Sequence, residues 1–167
     1  RAAKDWFDYS LKGLNNGWDA RPPVRAYVLG ANAWRDEKQW PPAAATPRTF
    51  YLHSGGQAQT LNGAGTLDSS APTKAEPADP FVFDPLKPVP THGGAHGVPV
   101  ACGPADQREV EARTDVLVYS SAPLTEPLLV MGPVTARVFA ASTARDTDFT
   151  AKLVDVFPDG QALIVCE

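Results

Sequence analysis

Leu128–Glu167 reads LLVMGPVTARVFAASTARDTDFTAKLVDVFPDGQALIVCE, and its pattern decides the fold class. In Val134–Ser142, Val134, Ala136, Val138 and Ala140 alternate with Thr135, Arg137, Phe139 and Ala141. A period of two is what a strand gives its side chains, so this run is predicted to be β. Phe149, Ala151 and Leu153 alternate in the same way with Thr150, Lys152 and Val154. Pro158-Asp159-Gly160 then predicts a tight hairpin. Proline presets φ, aspartate bonds its own backbone, and glycine takes the positive φ of a type I turn with a bulge. The returning strand, Gln161–Cys166, is still apolar where the sequence stops at Glu167. A strand with no closing turn predicts a chain cut from something longer.

Working outward, the remaining chain adds one helix and more short strands. Ala2–Gly13 is predicted helical: Ala3, Phe7, Ser10 or Leu11, and Leu14 recur at helical spacing, Trp6 widens the apolar face, and Gly13 suits the position after the last turn. Asn15-Asn16-Gly17 reads as a turn. Val24–Gly30, VRAYVLG, bounded by Pro23 and Gly30, reads as a buried strand. Trp34 and Trp40 follow among charges, as rings that plug a seam between domains or stack on a ligand. Pro41–Pro47, PPAAATP, reads as a boundary, because its prolines remove donors and its small residues bury little. Beyond it, Thr49–His53, Gly65–Asp68, Phe81–Phe83, Asp115–Ser120 and Leu128–Met131 read as strands. Short strands at this spacing indicate an all-β sandwich or barrel. Ser69–Pro80 reads as a polar loop, and Asp84–Pro104 as a long loop of the kind that carries function or mobility.

Composition narrows the function. With 15 basic and 19 acidic residues the net charge is −4, and the signs are interspersed, so no basic face points to nucleic acid. No apolar run approaches the roughly 18 residues of a membrane-spanning helix. Thirteen glycines and 17 prolines make the chain rich in turns without reaching the roughly 25–30% typical of low-complexity disorder. Cys102 and Cys166 lack metal spacing and read as small buried apolar residues rather than a bridge.

Candidate chemistry is sparse. The sequence contains no G-x-S-x-G elbow, the turn that exposes the nucleophile of an α/β-hydrolase; Ser54-Gly55-Gly56 reads as a glycine-rich turn. His53, His92 and His96 have no evident nucleophile beside them and read as structural or solvated. His92 and His96 share a four-residue spacing, but Gly93-Gly94 between them argues against the helix that would pair them on a metal. Asp146 and Asp148 read as turn caps rather than Ca²⁺ ligands. Asp106, Gln107 and Arg108 are expected to form a buried polar cluster with Arg113 or Glu111 that pins a loop to the sheet.

Five segments, in order, carry a family resemblance: WFDYSLKG (6–13), FVFDPLKPVPTHGG (81–94), GPADQR (103–108), DVLVYSSAPL (115–124) and DTDFTAKLVDVFPDG (146–160). Together they resemble the CocE/NonD family of serine hydrolases, which shares its C-terminal domain with the X-Pro dipeptidyl-peptidases. The resemblance implies a mainly β chain. Residues 1–42 would be the last helix and strand of an α/β-hydrolase domain. Residues 43–167 would begin a jelly-roll-like (galactose-binding-like) β-sandwich, the incomplete non-catalytic domain. It further implies that serine, acid and histidine all precede Arg1, so no catalytic residue is assigned here and the chain by itself is expected to be inactive.

The implied substrate of the parent is a small-molecule acyl ester, amide or peptide, with closer motif agreement to the esterase and acylase branch than to the dipeptidyl-peptidases. No cofactor, metal, nucleic acid or membrane partner is implied, and homo-oligomer contacts are compatible. In one esterase branch the loop after the double glycine approaches the acyl pocket. Here that loop is Ala95–Cys102, with Val98 and Val100 as the apolar lining and His96 as a polar one; a loop that only covers the sheet is the other reading. A different class also fits a jelly roll: a carbohydrate- or ligand-binding module without catalysis, which stacks aromatic rings on sugars. The absence of tryptophan after Trp40 weighs against it.

Overall fold

A computed structural model describes residues 1–97 and 101–167. The chain is mainly β. Among the described residues six strands pair as three antiparallel two-stranded sheets, accompanied by one long helix and one single-turn helix. It divides into two compact units, residues 1–47 with 129–135, and residues 48–128 with 136–167.

The first unit opens with α1, Ala2–Lys12. Gly13 ends it at φ 66°, where its N–H and that of Leu14 reach back to the Tyr9 and Asp8 carbonyls. That is the left-handed stop expected from the sequence. Asp8 is the helix residue that is buried, gripped by Lys4 and by Lys12 at 2.7 Å, each one helical turn away. Trp6, Phe7 and Leu11, the predicted apolar face, lie exposed.

Val24–Val28 (β1) is a strand, but not the buried one expected. It forms a hairpin with Ala33–Glu37 (β2), running from Val24 opposite Glu37 to Val28 opposite Ala33, and its side chains alternate between half-buried and exposed. The reason is the turn between them. Gly30 and Asn32 adopt φ 80° and 51°, which reverses the chain at once and gives β1 a charged partner strand. Trp34 is exposed, edge-on to Tyr27 at 5.2 Å with the Arg25 guanidinium 5.5 Å from its ring; Trp40 is exposed as well.

In the second unit Tyr51–His53 (β3) pairs with Thr66–Asp68 (β4), placing His53 opposite Thr66. Arg108–Glu111 is the single turn α2. Leu153–Val156 (β5) pairs with Ala162–Cys166 (β6), with a register shift between Leu153 and Val154. The Pro-Asp-Gly turn between them forms as expected. Gly160 lies at φ 84°, its N–H bonds the Phe157 carbonyl at 2.8 Å, and Asp159 accepts the Gln161 N–H at 3.0 Å. The buried apolar residues are Ala58, Val110, Ala162 and Ile164.

Several predicted strands do not form. Phe81–Phe83, Leu128–Met131 and Val134–Ser142 are in no strand, and Phe149–Val154 is strand only from Leu153. Asp115–Ser120 makes isolated bridges alone, at Leu117 and Ser120. Alternation sorts side chains onto two faces, but a strand also needs a neighbour to take its N–H and C=O groups. Among the described residues Val134–Ser142 has none, and every residue in it is exposed. Cys102, expected to be buried, is exposed; Cys166 is half-buried, and both thiols are free.

Candidate functional site

Three groups of side chains in the second unit carry the polar chemistry. The first is the neck of the Ala95–Cys102 loop. Gly94 and Gly103 exchange two backbone hydrogen bonds of 2.9 Å each, so the loop leaves and re-enters through a single antiparallel pair. Glycine is required at Gly93, where a Cβ would lie 2.6 Å from the Gly103 backbone carbonyl, and is favoured at Gly94 by its φ of 81°. His96 is exposed and pairs with Glu167 through Nε2 at 2.8 Å, at the end of β6. Val98 and Val100, the expected apolar lining, lie outside the described residues.

The second group anchors that neck to β6. Gln107 is buried and every polar atom of its amide is used. Its Nε2 donates to the carbonyls of His92 at 2.8 Å and Ala105 at 3.0 Å, and its Oε1 accepts from Lys152 Nζ at 3.1 Å. Its backbone N–H bonds the Ala162 carbonyl at 2.7 Å, and Ile164 N–H bonds the Ala105 carbonyl at 3.1 Å. Asp106 chelates Arg108 through the guanidinium fork and accepts the N–H groups of Arg108 and Ala162. The Arg108 guanidinium, with those N–H groups, holds the Asp106 carboxyl at about 2, against an ordinary 3.8.

The expected cluster is therefore present in part. Arg113 stands apart from it, forking Asp115 at 2.7 and 2.6 Å and donating to the Lys87 carbonyl at 2.7 Å. Glu111 is buried with Oε2 unpartnered; burial first, then the Asp106 charge, pushes its carboxyl upward. Apart from Glu111 Oε2, the fold of this corner follows from satisfying buried polar groups, the Gln107 amide above all. The sequence named these residues but not Gln107 as the centre, because a buried amide leaves no periodic signal and one of its partners lies 45 residues away.

The third group surrounds β3 and borders a cleft of about 570 Å³ lined by His53, Ser54, Thr66, Lys74 and Glu76 among others. His53 sits between Glu76 Oε1, 2.8 Å from Nδ1, and the Ser70 carbonyl, 2.9 Å from Nε2. Ser54 Oγ donates to Asp79 Oδ1 at 2.6 Å and accepts the N–H groups of Gly56 and Gln57. Asp79 also accepts from the Ala58 N–H at 2.8 Å and the Tyr119 hydroxyl at 2.7 Å. Burial pushes the Asp79 carboxyl up, but the bonds from Ser54, Tyr119 and Ala58 outweigh it and hold the group below its usual range. Burial, reinforced by Asp79, pushes the Tyr119 phenol upward.

Serine, histidine and aspartate thus lie close in space without forming a relay. A nucleophilic serine gives its proton to an imidazole nitrogen that has a free lone pair. Ser54 gives its proton to a weakly basic carboxylate, and both His53 nitrogens are taken. Ser69–Pro80, read as a bare loop, supplies Ser70, Glu76 and Asp79 to these contacts; the sequence shows that only as scattered polar residues. Asp146, at a bend, and Asp148, just beyond it, are exposed and hold no hydrogen bond among the described residues, so the capping expectation is not met. No three His, Cys, Asp or Glu side chains among the described residues gather as a metal site, and no described helix is long and apolar enough to cross a membrane.

Comparison with known proteins gives the chain a family. The chain is 47% identical over 167 residues to the cocaine esterase of Rhodococcus sp. (strain MB1 Bresler), covering 98% of this chain and 29% of that protein. It is 31% identical over 170 residues to "Putative serine esterase Mb1866c" of Mycobacterium bovis (strain ATCC BAA-935 / AF2122/97), covering 97% of this chain and 24% of that protein. "Putative serine esterase MT1883" of Mycobacterium tuberculosis (strain CDC 1551 / Oshkosh) matches to the same extent. The chain therefore spans less than a third of the length of these relatives. Residues 16–167 match the family described as the X-Pro dipeptidyl-peptidase C-terminal non-catalytic domain. With that match over most of its length and the esterase likeness over nearly all of it, the chain belongs to this C-terminal non-catalytic domain family, in the CocE/NonD group of serine hydrolases.

Proposed function

We propose that this chain is the non-catalytic part of a serine hydrolase that cleaves acyl esters or amides through an acyl-enzyme. Residues 1–42 form the end of its α/β-hydrolase domain, and residues 43–167 the first part of a jelly-roll-like sandwich that covers the active site. The observation that carries this reading is the 47% identity to cocaine esterase across 98% of the chain. The exposed apolar face of α1 supports the division, since Trp6, Phe7 and Leu11 have the character of a helix that packs on a sheet. The Ala95–Cys102 loop faces the acyl group of the substrate, and the corner built on Gln107 holds that loop in place. The nucleophile, base and orienting acid come from a preceding domain, because Ser54 and His53 here are committed to other partners.

The test is turnover by the full-length protein of activated esters with acyl groups of increasing size, alongside acyl amides and X-Pro dipeptide anilides. The expected result is ester or amide turnover abolished by a fluorophosphonate. Turnover confined to X-Pro anilides would reassign the substrate class, and no fluorophosphonate-sensitive turnover of any of them would overturn the reading. Replacing Ala95–Cys102 by a Gly/Ser loop should change KM most for the largest acyl groups; a uniform change across the series would remove the loop from the pocket.

A further inference from the structure

The cleft beside β3 holds a contact that can exist in one protonation state alone. A neutral imidazole has one N–H donor and one bare nitrogen. Both nitrogens of His53 face oxygens that accept: Glu76 Oε1 at 2.8 Å and the Ser70 carbonyl at 2.9 Å. Whichever tautomer forms, the neutral ring sets a lone pair against an oxygen and one of the two contacts fails. The imidazolium satisfies both. Asp68, on β4, adds a second carboxylate 3.7 Å from Nε2, and Glu76 also accepts the Ser54 N–H at 3.0 Å. Ser70 and Glu76 both belong to the strap of residues 69–80, which has no helix or strand of its own.

The far end of the strap is held differently. Asp79 takes the Ser54 hydroxyl, the Ala58 N–H and the Tyr119 hydroxyl, and the Pro80 carbonyl takes Gln59 Nε2 at 2.5 Å. None of these donors loses a proton near neutrality. We propose that His53 is a pH-sensitive latch that closes residues 70–76 over the β3–β4 hairpin when protonated and releases them when neutral, with the Asp79 pin acting as the hinge.

The working range follows from the groups that face the latch: His53 on β3, Asp68 on β4, and Lys74 and Glu76 in the strap. The Glu76 hydrogen bond, then the Ser70 carbonyl, raise His53 above its ordinary 6.5, with Asp68 adding to the effect. The His53 hydrogen bond, then the Ser54 N–H, lower Glu76 below its ordinary 4.5, with Lys74 adding. A raised histidine contributes stability that is full below 6.5 and lost as pH rises through the folded value. A lowered carboxylate contributes stability that is present above 4.5 and lost as pH falls through its folded value. The latch is therefore closed in mildly acidic solution and opens as pH rises through the folded value of His53, which lies above 6.5. It does not depend on the hydrolase reading.

Two reporters separate the latch from the hinge: the Ser54 amide bonds Glu76, whereas the Ala58 amide bonds Asp79. Hydrogen exchange of the full-length protein, corrected for intrinsic rates, should show Ser54 losing about 10-fold in protection from about pH 6 to pH 9 while Ala58 changes by less than about 2-fold. Glu76→Gln should flatten the Ser54 response. Loss of protection at both amides together, or at neither, overturns the proposal, as does an unchanged Ser54 response in Glu76→Gln. If that variant does not fold, the histidine resonance lost in His53→Gln decides the matter in the unmodified protein: a midpoint above 6.5 supports the latch, and one at or below it overturns the latch.

Discussion

The β5–β6 corner and the run Val134–Ser142 lie close in sequence and carry similar alternation, yet one is a paired sheet and the other is in no strand. Ala162 and Ile164 on β6 are buried, while Val134 and Val138 are exposed. The difference is the number of partners each backbone finds. β6 has β5 on one side, the Asp106–Gln107 segment bonding Ala162, and Ala105 bonding Ile164. Val134–Ser142 has no ladder at all among the described residues. Apolar alternation states which face a strand would bury; it does not supply the neighbour that makes it a strand.

The largest effect should come from the centre of the paired corner. Gln107→Leu removes three side-chain hydrogen bonds at a buried site and leaves the His92 and Ala105 carbonyls and the Lys152 ammonium short of a partner. It is expected to cost about 2–4 kcal/mol in denaturant unfolding of the full-length protein. A cost under about 0.5 kcal/mol would mean that the corner is not held by this amide. Next comes Gly160→Val. A β-branched residue at φ 84° is expected to cost about 1–3 kcal/mol, and an unchanged unfolding midpoint would remove the turn from the account.

Asp106→Asn sharpens the same side of the comparison through pH. The Asp106 carboxyl is lowered to about 2 from 3.8, so its contribution is full above 3.8 and lost as pH falls toward 2. The unfolding midpoints of the parent and the Asn variant should differ at pH 5 and converge near pH 2; a constant gap would show that the charge is not responsible. The smallest effect is expected in the unpaired run. Val138→Ala, at an exposed site, should change the stability of the isolated chain by less than about 0.5 kcal/mol. In the full-length protein, added strands that complete the sandwich would raise that cost to about 1.5 kcal/mol, at about 0.8 kcal/mol per buried methylene. Equal values in both would count against a sandwich completed by further strands.

What was legible in the sequence is what neighbours in sequence decide. Pro158-Asp159-Gly160 contains its whole turn, and Gly13 its whole helix stop, so both are found where the residues placed them. Gly30 and Asn32 held a turn signal of the same kind; reading Val24–Gly30 as a buried strand overlooked it, and β1 became half of an exposed hairpin. Gln107 was named but not recognised as the centre of its corner, because its importance depends on Lys152, 45 positions away. His53 reads as structural from the sequence, because Glu76, 23 positions away, gives no local sign of the strap it secures. The family resemblance was carried by five ordered segments rather than by any site, and that is why it was readable while the geometry was not.

If this chain shapes a hydrolase without supplying its chemistry, as proposed above, a fluorophosphonate should label a serine outside it. The 167-residue chain and the full-length protein should be exposed to the same probe and assayed with the same activated ester. One labelled serine is expected in the full-length protein, outside residues 1–167, and neither label nor turnover in the chain alone. Labelling of a serine within the chain, Ser54 above all, with ester turnover abolished by mutating that serine, would contradict it.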